Sequence, residues 1–105
     1  MAVQREPDER NWTFLTNHTH VLICLARDPQ MRLRDLAEEV GITERAVQGI
    51  VNDLRAAGCL MPTRVGRRNH YAIDGESPMR HRVEQGHVIG DLLSVMTPRG
   101  TSSSE

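Results

Sequence analysis

The sequence predicts one small domain of the α+β class, mainly α-helical with a single β-hairpin. Three observations support this fold class. Apolar residues between positions 21 and 54 recur three and four residues apart, which is the spacing of helices with one buried face. Glycines stand at positions 41 and 58, where these apolar patterns end. After Gly58 the pattern changes to two short segments of β-forming residues around a glycine.

Composition limits the classes of protein to be considered. The longest apolar run, residues 21–26, is far shorter than the roughly 18 residues that span a bilayer, and the amino-terminal residues lack the apolar stretch of a signal peptide. We therefore expect a cytoplasmic protein with no membrane partner. The chain has two cysteines, Cys24 and Cys59, which exclude a disulfide framework and are expected to be free thiols.

The first helix is expected after a polar tail. Residues 1–11 and 98–105 are polar and lack an apolar period, so we expect flexible tails there. Thr16 or Asn17 can cap a helix that runs to about Arg27, where an Asp-Pro pair stops it. Three apolar residues just before this helix are expected to pack beneath it: Trp12, Phe14 and Leu15.

Residues 32–60 contain two helices separated by a tight turn. Leu33, Leu36, Ala37 and Val40 form one apolar stripe, and Gly41 supplies the positive φ of a sharp turn. Thr43 then caps a second helix that ends at Gly58. This arrangement predicts a helix-turn-helix unit. The inward stripe of the second helix is predicted to be Ala46, Val47, Ile50, Val51 and Leu54.

The opposite side of the second helix carries polar and small residues without an acid among them. Arginine can form paired hydrogen bonds to guanine, and the Gln and Asn amides can do so to adenine. Small residues allow the helix to lie close to the floor of a DNA groove. The residues predicted to bind DNA from this helix are Thr43, Arg45, Gln48, Gly49, Asn52 and Arg55.

Basic residues are concentrated in residues 42–73, which hold five arginines against two acids, a net charge of +3 in a chain whose formal charge is −1. Two short strands, CLMPTRV and NHYAI, are predicted here around GRR, with Gly66 at the bend. A hairpin directly after a helix-turn-helix is a wing. Four of its residues are predicted to reach phosphates or a narrow minor groove: Arg64, Arg67, Arg68 and His70.

Residues 12–73 resemble the winged helix-turn-helix domain of MarR-like and ArsR-like transcription regulators. The resemblance lies in the small Ala37 four residues before Gly41, and in apolar residues at the positions that the motif requires: Leu36, Val40, Ile42, Val47 and Ile50. It implies a DNA-binding domain over residues 12–74, a double-stranded DNA ligand, a homodimer, and control of transcription at an operator. The cysteine pair of metal-sensing members is missing, so the sequence predicts no metal and no cofactor, and it identifies no effector.

The remaining residues are expected to serve dimerisation. Residues 77–97 predict one further helix, with Ser77 as its cap and Pro98 at its end. Its apolar side is too large for a small domain to cover, and two glycines four residues apart would let helices approach closely. The predicted dimer interface is Val83, Gly86, Ile89, Leu92, Leu93 and Met96. The alternative is that this helix packs on the first helix of its own chain.

Three other functions are considered. An enzyme is not expected, since the sequence has neither a phosphate-binding glycine loop nor a nucleophile elbow. A winged-helix module that binds another protein is the main alternative to DNA binding. A sensor is less favoured: His20 and Cys24 lie four residues apart and would need a further ligand to hold a metal, while Cys59 would have to be an accessible redox thiol.

Overall fold

The computed structural model describes residues 12–97, so both predicted tails lie outside the described residues. Helices, a hairpin and a last helix follow one another in the order of a winged helix, which confirms the predicted α+β class. No helix in this part of the chain is long and apolar enough to cross a membrane. The elements are α1 Asn17–Arg27, α2 Leu33–Val40, α3 Glu44–Ala56, β1 Leu60–Val65, β2 Arg68–Ile73, a 3-10 helix Arg82–Glu84, and α4 Ile89–Met96.

The helix boundaries follow from local capping. Thr16 Oγ1 accepts a hydrogen bond from the Thr19 N–H at the start of α1, and Thr43 Oγ1 accepts one from the Ala46 N–H at the start of α3. Gly41 ends α2 in the left-handed region at φ 86°, and its N–H donates to the Ala37 carbonyl. These contacts confirm the predicted caps and the predicted helix-turn-helix geometry.

The core lies between the first three helices and the hairpin. Its fully buried side chains include Leu36 and Val47, and Leu60 of β1 extends it toward the hairpin. Ala46, predicted to face inward, is exposed because it lies about 100° around α3 from Val47, beyond the edge of the buried stripe. The other four residues of the predicted stripe are buried: Val47, Ile50, Val51 and Leu54.

The residues before α1 only partly match the expectation. Leu15 packs against the core as predicted. Trp12 and Phe14 do not, and their side chains are 61% and 91% exposed. They precede the cap of α1 and contact each other edge to face, with ring centroids 5.0 Å apart. The predicted burial of this aromatic pair beneath α1 is therefore wrong.

The hairpin is antiparallel, with Leu60 opposite Ile73 and Val65 opposite Arg68. Its outer edge is paired with the loop between α1 and α2, because the Tyr71 N–H donates away from β1 to the Pro29 carbonyl at 2.8 Å. Pro62 lies opposite Tyr71, at a position where the strands exchange no hydrogen bond, so its missing N–H leaves no gap in the ladder.

The predicted helix over residues 77–97 is wrong in extent, since the α-helix begins only at Ile89. The preceding residues form an isolated bridge between Pro78 and Val88 and a short 3-10 helix. The Ile89 N–H donates to the Ser77 carbonyl, and the Gly90 N–H to the Gly75 carbonyl, both at 2.8 Å. Backbone pairing across this segment therefore replaces the helical bonds that the apolar spacing predicts.

The last helix, α4, packs on its own chain. Leu93 is buried in the core and Ile89 packs against it, so neither faces a partner as predicted. Gly90 approaches Gly75 of the same chain rather than a second subunit, and Gly86 has a φ of 92° outside any helix. Of the other predicted interface residues, Leu92 is half-buried, whereas Val83 and Met96 are exposed.

Candidate nucleic-acid interface

The outer side of α3 is fixed by the packing of its inner side. Val47 and Val51 hold the helix on the core, so the opposite side must face solvent. All six residues predicted to bind DNA from this region are exposed. Arg45, Gln48 and Asn52 succeed one another at intervals of three and four residues and form one row along the helix. Thr43 caps the start of this helix, and its hydroxyl accepts the hydrogen bond from the Ala46 N–H.

The two amides in this row contact each other. Gln48 Nε2 donates to Asn52 Oδ1 at 3.1 Å, which fixes the relative orientation of the side chains. Each amide retains a donor and an acceptor, because the bond uses one of the two Gln48 N–H groups and one lone pair of Asn52. The pair can therefore still read a base edge through paired hydrogen bonds.

Gly49 lies in the middle of α3 and on its outer side. A Cβ built on it would have no atom within 4 Å, and its φ is not in the left-handed region. Neither packing nor backbone geometry within the described chain therefore requires glycine here. Because glycine costs a helix interior roughly 1 kcal/mol relative to alanine, this position gives up stability. What it provides is a stretch of helix that another molecule can approach closely.

The four predicted wing residues do not share one face of the hairpin. The strand register places Arg64 beside Asn69 on one face, and Arg68 and His70 on the other. Arg64 Nε donates to the Gly66 carbonyl at 3.3 Å, and Arg67 is exposed in the two-residue turn. Arg68 is half-buried, and its Nη1 donates to the Gln30 carbonyl at 3.0 Å. Arg68 thus connects the wing to the loop before α2.

Arginine charge in this region is not neutralised by contact. Within residues 12–97, no arginine lies within 4.0 Å of a carboxylate, and both recorded ion pairs involve histidine. One of them joins His18 Nε2 of α1 to Asp53 Oδ2 of α3 at 2.9 Å. Asp53 is therefore directed toward α1, and Glu44 is exposed in the first turn of α3. A polyanion that approached α3 would meet a positive surface.

The cysteines lie in the core and away from this surface. Burial raises the pKa of the Cys24 thiol and also that of Cys59, so both stay protonated at neutral pH. Cys59 Sγ donates to the Leu54 carbonyl at 3.5 Å. The hypothesis that Cys59 is an accessible redox thiol is therefore wrong. Over the described residues, there is no group of three or more His, Cys, Asp or Glu side chains that could hold a metal ion.

Sequence reasoning missed the loop between α1 and α2. Gln30 and Arg32 line an open cleft of about 350 Å³ together with Arg67 and Arg68 of the wing. Arg32 lies close to the wing only because the loop pairs with the edge of β2. The signal in the sequence was a pair of arginines just before and within the start of α2, at positions 32 and 34.

Comparison with known proteins gives a family model that matches part of the chain. Residues 15–61 match the family model described as winged helix-turn-helix DNA-binding. The match covers α1, the whole helix-turn-helix and the first residues of β1. No curated protein and no solved structure matches the chain. The match supports a winged helix-turn-helix of the DNA-binding kind over this part of the chain.

Proposed function

We propose that this protein is a sequence-specific regulator of transcription that binds double-stranded DNA with α3 in the major groove. The observation that carries the proposal is the exposed, acid-free row of Arg45, Gln48 and Asn52 on a helix whose other side is locked in the core. These side chains have the donor and acceptor sets that read guanine and adenine edges. The family match over residues 15–61 supports the same ligand.

Gly49 gives this proposal its steric part. The open space around its Cα lets the helix backbone come near the floor of a groove, where a side chain would hold it away. A face that only contacted solvent would gain stability from alanine at this position. The glycine is therefore more consistent with a close partner than with a solvated surface.

The wing contributes phosphate or minor-groove contacts in this proposal. Arg64 and Arg67 are exposed at the end of the hairpin. Arg64 Nε donates to the Gly66 carbonyl, and the other N–H groups of its guanidinium remain to extend to DNA. Arg68 has a second task, because its bond to the Gln30 carbonyl holds the hairpin in place. In this proposal, His70 of the wing and Arg55 of α3 contact the DNA backbone beside the bases that are read by Arg45, Gln48 and Asn52.

The remaining parts of the proposal concern assembly. We propose a cytoplasmic homodimer of the MarR-like and ArsR-like kind, which would place two copies of α3 on an inverted repeat. Its support is the outer side of α4, where Val95 is 73% exposed and adjoins the exposed Met96. Leu92 lies half-buried beside them, and Val83 adds a further exposed apolar side chain.

A winged-helix module that binds another protein is the second candidate. The outer face of the hairpin favours it, since Met61 and Val65 are at least half exposed there. Apolar residues on a wing fit a protein surface better than a phosphate backbone. The two candidates differ in the residues on which binding depends: α3 for DNA, and the apolar side chains of β1 for a protein.

Selection of bound fragments from random duplex DNA, followed by titration of the selected duplex, tests the proposal. Replacing Arg45, Gln48 or Asn52 with Ala should weaken the selected site by about 1–3 kcal/mol and leave random DNA nearly unchanged. Arg82→Ala is the matched control, because it removes one exposed arginine outside α3 and the wing. Failure to select any sequence, or equal losses in the control, contradicts base reading by α3.

A further inference from the structure

A cleft between the wing and the start of α2 has a chemical character of its own. Its walls are residues 30–33 on one side and residues 67–69 with Tyr71 on the other. The two sides are held together by the bonds from Tyr71 N–H to the Pro29 carbonyl and from Arg68 to the Gln30 carbonyl. One backbone bond and one side-chain bond therefore hold the two walls of the cleft together.

Three arginines and no acid line this cleft. Arg32 comes from the loop before α2, and Arg67 and Arg68 come from the wing. None of them lies within 4.0 Å of a carboxylate of the described residues. The nearest acids in sequence do not line it: Asp28 accepts a hydrogen bond from the Gln30 N–H, and Asp35 lies exposed in the first turn of α2. Three uncompensated cations around one cavity favour an anion.

The donors in the cleft are partly preorganised. The Gln30 carbonyl fixes the Arg68 guanidinium through one of its five N–H donors, and the others remain for a ligand. Asn69 Nδ2 donates to the Tyr71 hydroxyl at 3.4 Å, and this neutral polar pair also lines the cleft. Fixed guanidinium groups bind planar or tetrahedral oxyanions through two parallel hydrogen bonds.

The volume of about 350 Å³ is at the small end of ligand sites. It admits a phosphate group with a few attached atoms, and Met31 and Leu33 provide limited apolar contact for such atoms. We propose that this cleft binds the phosphate group of a ligand through Arg32 and Arg67, with Arg68 as the fixed third donor. The phosphate is either that of the DNA backbone, a source that rests on the function proposed above, or that of a free phosphate ester.

Nuclear magnetic resonance titration of the full chain with inorganic phosphate, at constant ionic strength with chloride as the reference, tests the proposal. Saturable shifts are expected in the amides of residues 30–33 and 67–69 and in the arginine Nε–H signals. Arg32→Gln and Arg67→Gln should each weaken phosphate binding about tenfold, since each removes a charged donor. Arg82→Gln, which removes an exposed arginine elsewhere, should leave it unchanged.

Addition of duplex DNA to the phosphate-saturated protein distinguishes the two sources. Displacement of phosphate from the cleft signals identifies the DNA backbone, and coexistence of both identifies a free phosphate ester. A protein that binds phosphate in the cleft but binds no duplex contradicts the function proposed above and leaves the cleft assignment intact. The absence of saturable shifts, or equal weakening in Arg82→Gln, overturns the cleft assignment. Unchanged spectra outside the cleft show that each variant is folded.

Discussion

The same substitution, glycine to alanine, is expected to have opposite effects at two helical positions of this chain. A Cβ on Gly90 would lie 2.9 Å from the Gly75 carbonyl oxygen and 3.4 Å from the Gly75 Cα. A Cβ on Gly49 would meet nothing within 4 Å. The pair therefore separates a glycine that the fold requires from one that it does not.

The magnitude for Gly90→Ala follows from three contributions. Overpacking against a backbone atom costs about 1–3 kcal/mol. Moving the two segments apart also weakens the bond from the Gly90 N–H to the Gly75 carbonyl, worth about 1 kcal/mol. Higher helix propensity returns at most about 1 kcal/mol, and less so near the start of α4. The net expectation is a loss of about 1–3 kcal/mol, or roughly 4–20 °C in Tm for a domain of this size.

Gly49→Ala should instead raise the free energy of unfolding by about 0.5–1 kcal/mol, because only the propensity changes. Urea unfolding followed by circular dichroism measures both variants against the parent. Gly90→Ala at or above parental stability would refute the close approach of Gly75 and Gly90. Duplex binding by Gly49→Ala is the second measurement: a more stable protein that binds DNA more weakly supports the steric part of the proposed function.

Three further outcomes are expected. Cys24 and Cys59 should not react promptly with a thiol reagent near pH 8, because burial raises the pKa of both thiols, and both should react once urea unfolds the chain. The pKa of Asp91 is lowered by hydrogen bonds from the Val88 N–H and from His87, so Asp91→Asn should destabilise the protein at pH 7. The difference should shrink as the pH falls below the ordinary Asp pKa of 3.8 and be lost once the pH has passed through the lower pKa of the folded state. Leu93→Asp should abolish cooperative unfolding, because it places a charge in the core. Val95→Asp should change the free energy of unfolding by no more than about 0.5 kcal/mol, because Val95 is exposed. If the homodimer forms through α4, Val95→Asp should also sediment as a monomer.

Elements defined by local chemistry were predictable from the sequence. The caps at Thr16 and Thr43 act on backbone groups three residues away, and Gly41 acts on its own φ. The exposure of Arg45 and Asn52 follows from the helical period once the buried stripe is known. Each of these features depends on residues within one or two turns, so the sequence contains all the information required.

The C-terminal segment was not predictable in this way. The apolar residues between positions 83 and 96 have a helical spacing, yet the backbone of residues 87–90 pairs with residues 75–79. The contact between Gly75 and Gly90 joins residues far apart in sequence and involves no side chain, so no local pattern announces it. The burial of Trp12 and Phe14 was predicted from residue type alone, but burial also requires an apolar surface for the rings to pack against. The two rings instead contact each other.

The loop between α1 and α2 explains how a short hairpin can act together with α3. An isolated two-stranded hairpin is at best marginally stable in water. Here the outer edge of β2 is bonded to the Pro29 carbonyl, and Arg68 is bonded to the Gln30 carbonyl. Because α2 follows this loop directly and packs on α3, the loop links the position of the hairpin to that of α3. Every residue has a backbone carbonyl, so no residue type in the sequence marks the one that Arg68 contacts. The sequence therefore predicted only a DNA contact for Arg68. Its bond to the loop means that loss of its side chain would alter the position of the wing as well as its charge.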